Sequence, residues 1–292
     1  MTGWGASTTM KRGEKERIMR PFVLAVVLMA AGSAARGEIV TKTVEYKQGE
    51  TTLVGFLAYD DAVATEKTPR PGVVVCPEWW GNDEYAHSRA EELAREGYVA
   101  FAVDMYGKEG AGRAKTTDDP AQAGKWAGEV NADVKLLRAR VLAGYNALVS
   151  QPVVDRTHVA AIGYCMGGTV ALELARAGAD LDAVVAFHAS RIAAQDAADN
   201  KELKDRGTTV LICHGQDDTF VKPEEITNFH KQMKDAGVDY EFVSYAGAVH
   251  SFTNPGADKH GMDGVKYNEK AATRSWARML ALFREKFNDR KK

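Results

Sequence analysis

From Glu38 onward the chain alternates short apolar runs with stretches of helical period. Val40 to Tyr46 and Thr52 to Tyr59, joined by Lys47-Gln48-Gly49-Glu50, predict a β-hairpin. Apolar runs follow at residues 72–76, 98–103, 158–163, 183–188, 209–213 and 240–245. Short, β-rich runs without polar alternation predict strands covered on both faces. Between them, Val130, Val134, Leu137, Val141 and Leu148 fall on one helical face, and Trp276, Met279, Leu280, Phe283 and Phe287 on another. Strand and helix in turn predict an α/β fold, a mainly parallel sheet with helices on both faces, led by an antiparallel hairpin. No Pro/Gly/Ser-rich linker interrupts the pattern, so residues 38–292 read as one domain.

Residues 1–37 have a different character. Lys11, Arg12, Lys15, Arg17 and Arg20 are followed by an uncharged apolar run from Phe22 to Ala31, then by Ser33-Ala34-Ala35 before Arg36. Basic, then apolar, then small is the order of a secretory signal peptide, and the run is shorter than the ~20 apolar residues of a membrane span. The expectation is an exported protein, periplasmic or secreted, without a membrane anchor after processing.

The whole chain has 38 Lys+Arg against 40 Asp+Glu, a net charge of −2. The leader holds six basic and two acidic residues, a surplus of four positive charges, so the remainder stands at −6. A mildly acidic domain lacks the electrostatic footprint of a nucleic-acid binder. Cys76, Cys165 and Cys213 are too few and too scattered for a disulfide framework or a zinc site. The seven histidines show no metal-ligand spacing, and neither a G-x-G-x-x-G nor a Walker sequence occurs, so neither metal nor cofactor is expected.

In a parallel α/β sheet, ligands bind beyond the carboxyl ends of the strands. Gly163-Tyr164-Cys165-Met166-Gly167-Gly168 lies there, between the run Val159 to Ile162 and a helical segment from Thr169. This is a nucleophile elbow with cysteine in place of serine: glycines two residues to either side allow a turn that a Cβ would block. The Met166 N–H would open the next helix, where it could stabilise a thiolate and an oxyanion. Asp217 and Asp218 follow the 209–213 run, and His250 follows the 240–245 run. Nucleophile, acid, histidine is the chain order of the α/β-hydrolases. His188 and His214 also end strands and read as hydrogen-bonded structural residues. Cys76 and Cys213, inside apolar strands, read as inert thiols.

These residues resemble the dienelactone hydrolase family, α/β-hydrolases that use a cysteine nucleophile. The marks are Gly163 to Gly168, Asp218-Thr219-Phe220-Val221, His250-Ser251-Phe252 and Pro77-Glu78-Trp79-Trp80-Gly81. The resemblance implies an enzyme for a small-molecule ester or lactone, with Cys165 as nucleophile, His250 as base and acid, and Asp218, three residues before Val221, orienting the imidazole. It implies that Glu78 contacts the resting thiol and keeps it protonated, and that the Trp79 N–H completes an oxyanion hole with that of Met166. Trp79, Trp80 and Tyr106 are expected to line the substrate pocket. The family clamps a substrate carboxylate with two arginines, whose matching positions here are Lys108 and Asn254. Without bidentate guanidinium groups there, a preference for neutral or more apolar substrates is expected. Two other readings stay open: a thiol redox protein using Cys165 with a resolving cysteine, and a binding module that keeps the fold without turnover.

Overall fold

The computed structural model describes residues 37–110 and 112–288; residues 1–36, nearly all of the expected signal peptide, lie outside them. The chain opens with the hairpin β1 (Ile39–Gln48) and β2 (Thr51–Asp60), whose turn is only Gly49-Glu50, with Gly49 at φ 55°. Then come β3 (Arg70–Cys76), helix α1 (Glu84–Arg95), β4 (Val99–Ala102) and a small ribbon of β5 (Lys108–Glu109) with β6 (Arg113–Ala114). Helices α2 (Pro120–Asn131) and α3 (Val134–Val149) lead to β7 (Val154–Tyr164), α4 (Met166–Arg176), β8 (Ala183–Phe187) and α5 (Asn200–Arg206). β9 (Thr209–Gly215), α6 (Pro223–Ala236), β10 (Tyr240–Tyr245) and α7 (Glu269–Asn288) complete the chain.

Eight strands form one sheet in the order β1-β2-β4-β3-β7-β8-β9-β10. β1 and β2 pair antiparallel, as do β2 and β4; every other pairing is parallel. This is the α/β-hydrolase fold, and it explains the unalternating runs. Along β3, Val73 and Val75 pack toward α1 and α7, while Val74 and Cys76 pack toward α3 and α4, so both faces must be apolar.

One sequence expectation is corrected here. Val130 and Val134 do not share a helix, because Asp133 accepts hydrogen bonds from the N–H groups of Lys135 and Leu136 and starts α3 afresh. An aspartate that caps its own successors competes with helix continuation. Val130 and Leu137 still reach the same core layer, which is why the apolar period ran across the break.

Candidate active site

The turn between β7 and α4 brings the fold's carboxyl edge to one sulfur atom. Cys165 has φ 53° and ψ −121°, a conformation costly for a residue with a side chain. A Cβ on Gly163 would lie 1.9 Å from the Gly167 carbonyl oxygen, and one on Gly167 would lie 2.2 Å from that of Cys76. Those contacts are with backbone, so the strained turn exists only with glycine at both positions. The Cys165 N–H is shared between the Phe187 carbonyl and Nδ1 of His188, each at 3.1 Å. Met166 is the first residue of α4, so its N–H has no acceptor one turn back. No hydrogen bond engages the Trp79 N–H among the described residues.

His250 and Asp218 arrive from the loops after β10 and β9. His250 is buried, and its Nδ1 is 2.8 Å from Oδ2 of Asp218. Burial pulls the His250 pKa down, but the Cys165 thiolate and the Asp218 carboxylate outweigh it and raise the pKa to about 10. The second Asp218 oxygen accepts from the Phe220 N–H at 2.9 Å. Asp217 is exposed and engages the structure through its backbone N–H, which donates to the Ala248 carbonyl. The His250 backbone is held in turn by Gly264 and Lys266.

His188 plays the structural part expected of it. It is fully buried and its pKa lies well below the usual value, first because of burial and then because of His250 nearby. With Nδ1 accepting from Cys165, Nε2 carries the proton and donates to Thr253 Oγ1 at 2.7 Å, which in turn meets the Tyr85 hydroxyl at 2.7 Å. His214 is likewise buried, packed against Phe242. Cys76 and Cys213 are fully buried, and burial raises both thiol pKa values, that of Cys213 to about 12.

Several expected roles are not met. Glu78 is buried at 2% exposure, but Oε1 accepts from Ser251 Oγ at 2.7 Å and Oε2 from Asn254 Nδ2 at 2.8 Å. Among the described residues its hydrogen bonds go to these two residues of the His250 loop and none goes to Cys165. Asn254 is therefore a partner of Glu78, with its own Oδ1 accepting from the Gly256 N–H. Lys108 pairs with Glu45 at 2.6 Å on the β5 ribbon. Trp80 stacks on His260 at 3.9 Å, and the Tyr106 hydroxyl donates to the Trp79 carbonyl at 2.9 Å, supporting the loop after β3. None of Trp80, Tyr106, Lys108 and Asn254 lines the cavity of about 210 Å³ beside Cys165.

That cavity is walled by Trp79 and Met166, by Ala127 and Asn131 of α2, and by Thr169, Ser190 and Arg191. Ser190 Oγ stands 3.6 Å from the Cys165 sulfur. Phe220, 47% exposed, lies 4.7 Å from the His250 ring. Ser190 and Arg191 went unnoticed in the sequence, although they follow the β8 run as closely as Cys165 follows β7. The strand-end rule could have found them; neither residue type carried a motif. Among the described residues no cluster of His, Cys, Asp and Glu is arranged to hold a metal ion.

Known proteins share this arrangement of elements. A solved structure named m3DLH is 38% identical, with a TM-score of 0.79, over 86% of this chain and 99% of its own. A dienelactone hydrolase-like promiscuous phosphotriesterase from metagenomic libraries is 37% identical, with a TM-score of 0.78, over the same shares. A protein of Aquifex aeolicus (strain VF5), provisionally named a carboxymethylenebutenolidase, is 26% identical over 250 residues, covering 82% of this chain and 96% of the relative. The dienelactone hydrolase family as a whole matches residues 59–287. With the cysteine elbow and the hydrolase sheet in place across that span, the chain belongs to the dienelactone hydrolase family and is a carboxylic ester or lactone hydrolase.

Proposed function

We propose that the protein cleaves its ester or lactone through a Cys165–His250–Asp218 triad and a thioester on Cys165. The observation that carries this reading is the strained β7–α4 elbow, with Cys165 at φ 53°, beside a buried His250 whose Nδ1 lies 2.8 Å from Asp218 Oδ2 and whose pKa is raised to about 10. An imidazole oriented by a carboxylate can take the proton of a cysteine nucleophile and return it to the leaving group. Asp218, on Nδ1, fixes the tautomer so that Nε2 faces the thiol.

The Cys165 thiolate attacks the carbonyl carbon, and the N–H groups of Met166 and Trp79 receive the oxyanion. Collapse breaks the C–O bond, the His250 imidazolium protonates the leaving alkoxide, and a thioester remains. Water, deprotonated by the now neutral His250, adds to the thioester; expulsion of the thiolate frees the acid and restores the ion pair. Glu78 acts by fixing Ser251 and Asn254, and with them the loop that carries His250.

The thiol redox reading loses support because Cys76 and Cys213, the only other cysteines, are buried and hard to ionise. The test is hydrolysis of p-nitrophenyl acetate with acid-quenched mass spectrometry. An acetyl group on the Cys165 peptide, absent from Cys165→Ala along with turnover, is expected. Full turnover by Cys165→Ala would refute the reading.

A further inference from the structure

We propose that His188 is a positioning residue for hydrolysis: through Thr253 its ring couples the backbone of Cys165 to the loop that carries His250, and so aims the imidazole at the sulfur. The proposal deepens the reading above and rests on Cys165 and His250 being nucleophile and base.

The coupling is a chain of three buried residues. The Cys165 N–H donates to His188 Nδ1 at 3.1 Å, and the His188 Nε2–H donates to Thr253 Oγ1 at 2.7 Å. Thr253 stands three residues beyond His250, so one ring spans from the strained elbow to the base loop. An imidazole serves both ends in one form only. Nδ1 must be free of a proton to accept from Cys165, and Nε2 must carry one to donate to Thr253. A protonated ring has N–H groups at both nitrogens and loses the first bond. Burial, and then His250 with its ring 5.3 Å away and Arg89, hold His188 neutral. The two histidines therefore divide the work: His250 takes and returns the proton while His188 keeps a fixed tautomer.

The far end of the chain is anchored. Thr253 Oγ1 also meets the Tyr85 hydroxyl at 2.7 Å, and the Thr253 carbonyl accepts from Arg89 Nη2. Arg89 in turn lies over the rings of Tyr85, Tyr164 and Trp276, at 5.0, 5.7 and 5.6 Å from their centres, which ties the loop to α1 and α7. The bonds of Ser251 and Asn254 to Glu78 hold the same loop to the segment after β3, whereas the His188 chain ends on the nucleophile's own N–H. That N–H is shared, and the Phe187 carbonyl at 3.1 Å remains its acceptor when His188 is replaced. Loss of the chain therefore changes the aim of Cys165 and His250 more than the fold of the elbow. A displacement on the order of 1 Å at a reacting pair costs about a hundredfold in rate.

Two substitutions cut the chain from opposite sides. Thr253→Val removes the hydroxyl at nearly constant volume; His188→Asn keeps an acceptor for the Cys165 N–H but is too short to reach Thr253. The readout is steady-state hydrolysis of p-nitrophenyl acetate, with near-UV circular dichroism to establish that each variant is folded. In both, kcat is expected to fall about tenfold to a hundredfold with KM within about twofold of wild type. The double variant should lose no more than the worse single one, because both cut one link. Thr253→Ser restores the hydroxyl and should recover kcat to within about threefold of wild type. Where Thr253→Val or His188→Asn does not fold, the other carries the comparison. Wild-type kcat in a folded variant, or a loss that Thr253→Ser shares in full, would overturn the positioning role while leaving the triad in place. Turnover that survives Cys165→Ala would overturn the triad reading and the proposal with it.

Discussion

Cys165, His188 and Ser251 are the non-glycine residues with positive φ among the described residues: the proposed nucleophile, the residue whose Nδ1 accepts from its N–H, and the neighbour of His250. Each such conformation costs on the order of 1–3 kcal/mol, so the strain of the molecule is concentrated where a sulfur, an imidazole and Glu78 must be aimed. Cys165→Ala and His250→Ala are expected to lower esterase kcat/KM by at least about a thousandfold while the far-UV spectrum is unchanged, because the members of a triad act as a unit. Asp218→Asn should cost less than either, and Asp217→Asn little. A larger loss at Asp217 would reverse the assignment of the acid. The charge pairing makes a second prediction: with the thiolate removed in Cys165→Ala, burial opposes only Asp218, and the His250 pKa should fall well below about 10. An imidazole titration followed by NMR checks this directly.

At the scale of elements, each loop that carries a proposed triad residue is fixed by the way a strand hands over to the next helix or turn. The β7–α4 elbow tolerates no side chain at residues 163 and 167, so Gly167→Ala should destabilise the fold by about 3 kcal/mol or more, measured by urea denaturation. Helix α1 starts at Asp83, whose carboxylate accepts from the Ala86 N–H. Burial raises the Asp83 pKa from the usual 3.8 to about 6, with the Ala86 N–H opposing and Glu78 adding to it. A carboxyl whose folded pKa is raised binds its proton more tightly when folded. Its contribution is therefore most favourable in acid and is lost as the pH rises from about 3.8 to about 6. Asparagine caps a helix as well without burying a charge, so Asp83→Asn should be more stable than wild type at pH 7 and gain nothing at pH 3.5. Denaturation midpoints of the two proteins across that range test the sign.

For the whole molecule, the sheet gathers residues as far as 176 positions apart, as in the bond between Asn254 and Glu78. Strand order decides which neighbours Cys165 receives: β3 beside β7 brings Trp79 and β8 on the other side brings Ser190 and Arg191. The basic, apolar and small-residue order of the first 37 residues supports the proposal that the chain is exported. Mass spectrometry of the protein from its native host should then find an N-terminus near Arg36 to Glu38. A chain beginning at Met1 or Met19 would overturn it.

The amino-acid order by itself determined the alternation of strand and helix, the strands apolar on both faces, the glycine pattern around Cys165 and the succession of cysteine, aspartate and histidine. These are local properties: period, turn sterics and loop chemistry can be read within a dozen residues. It ran the period of α3 across Asp133, because one apolar layer receives residues from two helices and hides the cap between them. Only the tertiary structure decided the partners. Glu78 could have faced the thiol or the His250 loop, and the donors on Ser251 and Asn254 took it. Lys108 could have met a substrate, and Glu45 on the neighbouring hairpin paired with it. Arg191 carried no motif and drew no notice until β8 was set beside β7. The partner of a charged side chain is set by its surroundings in space, and sequence distance does not record those.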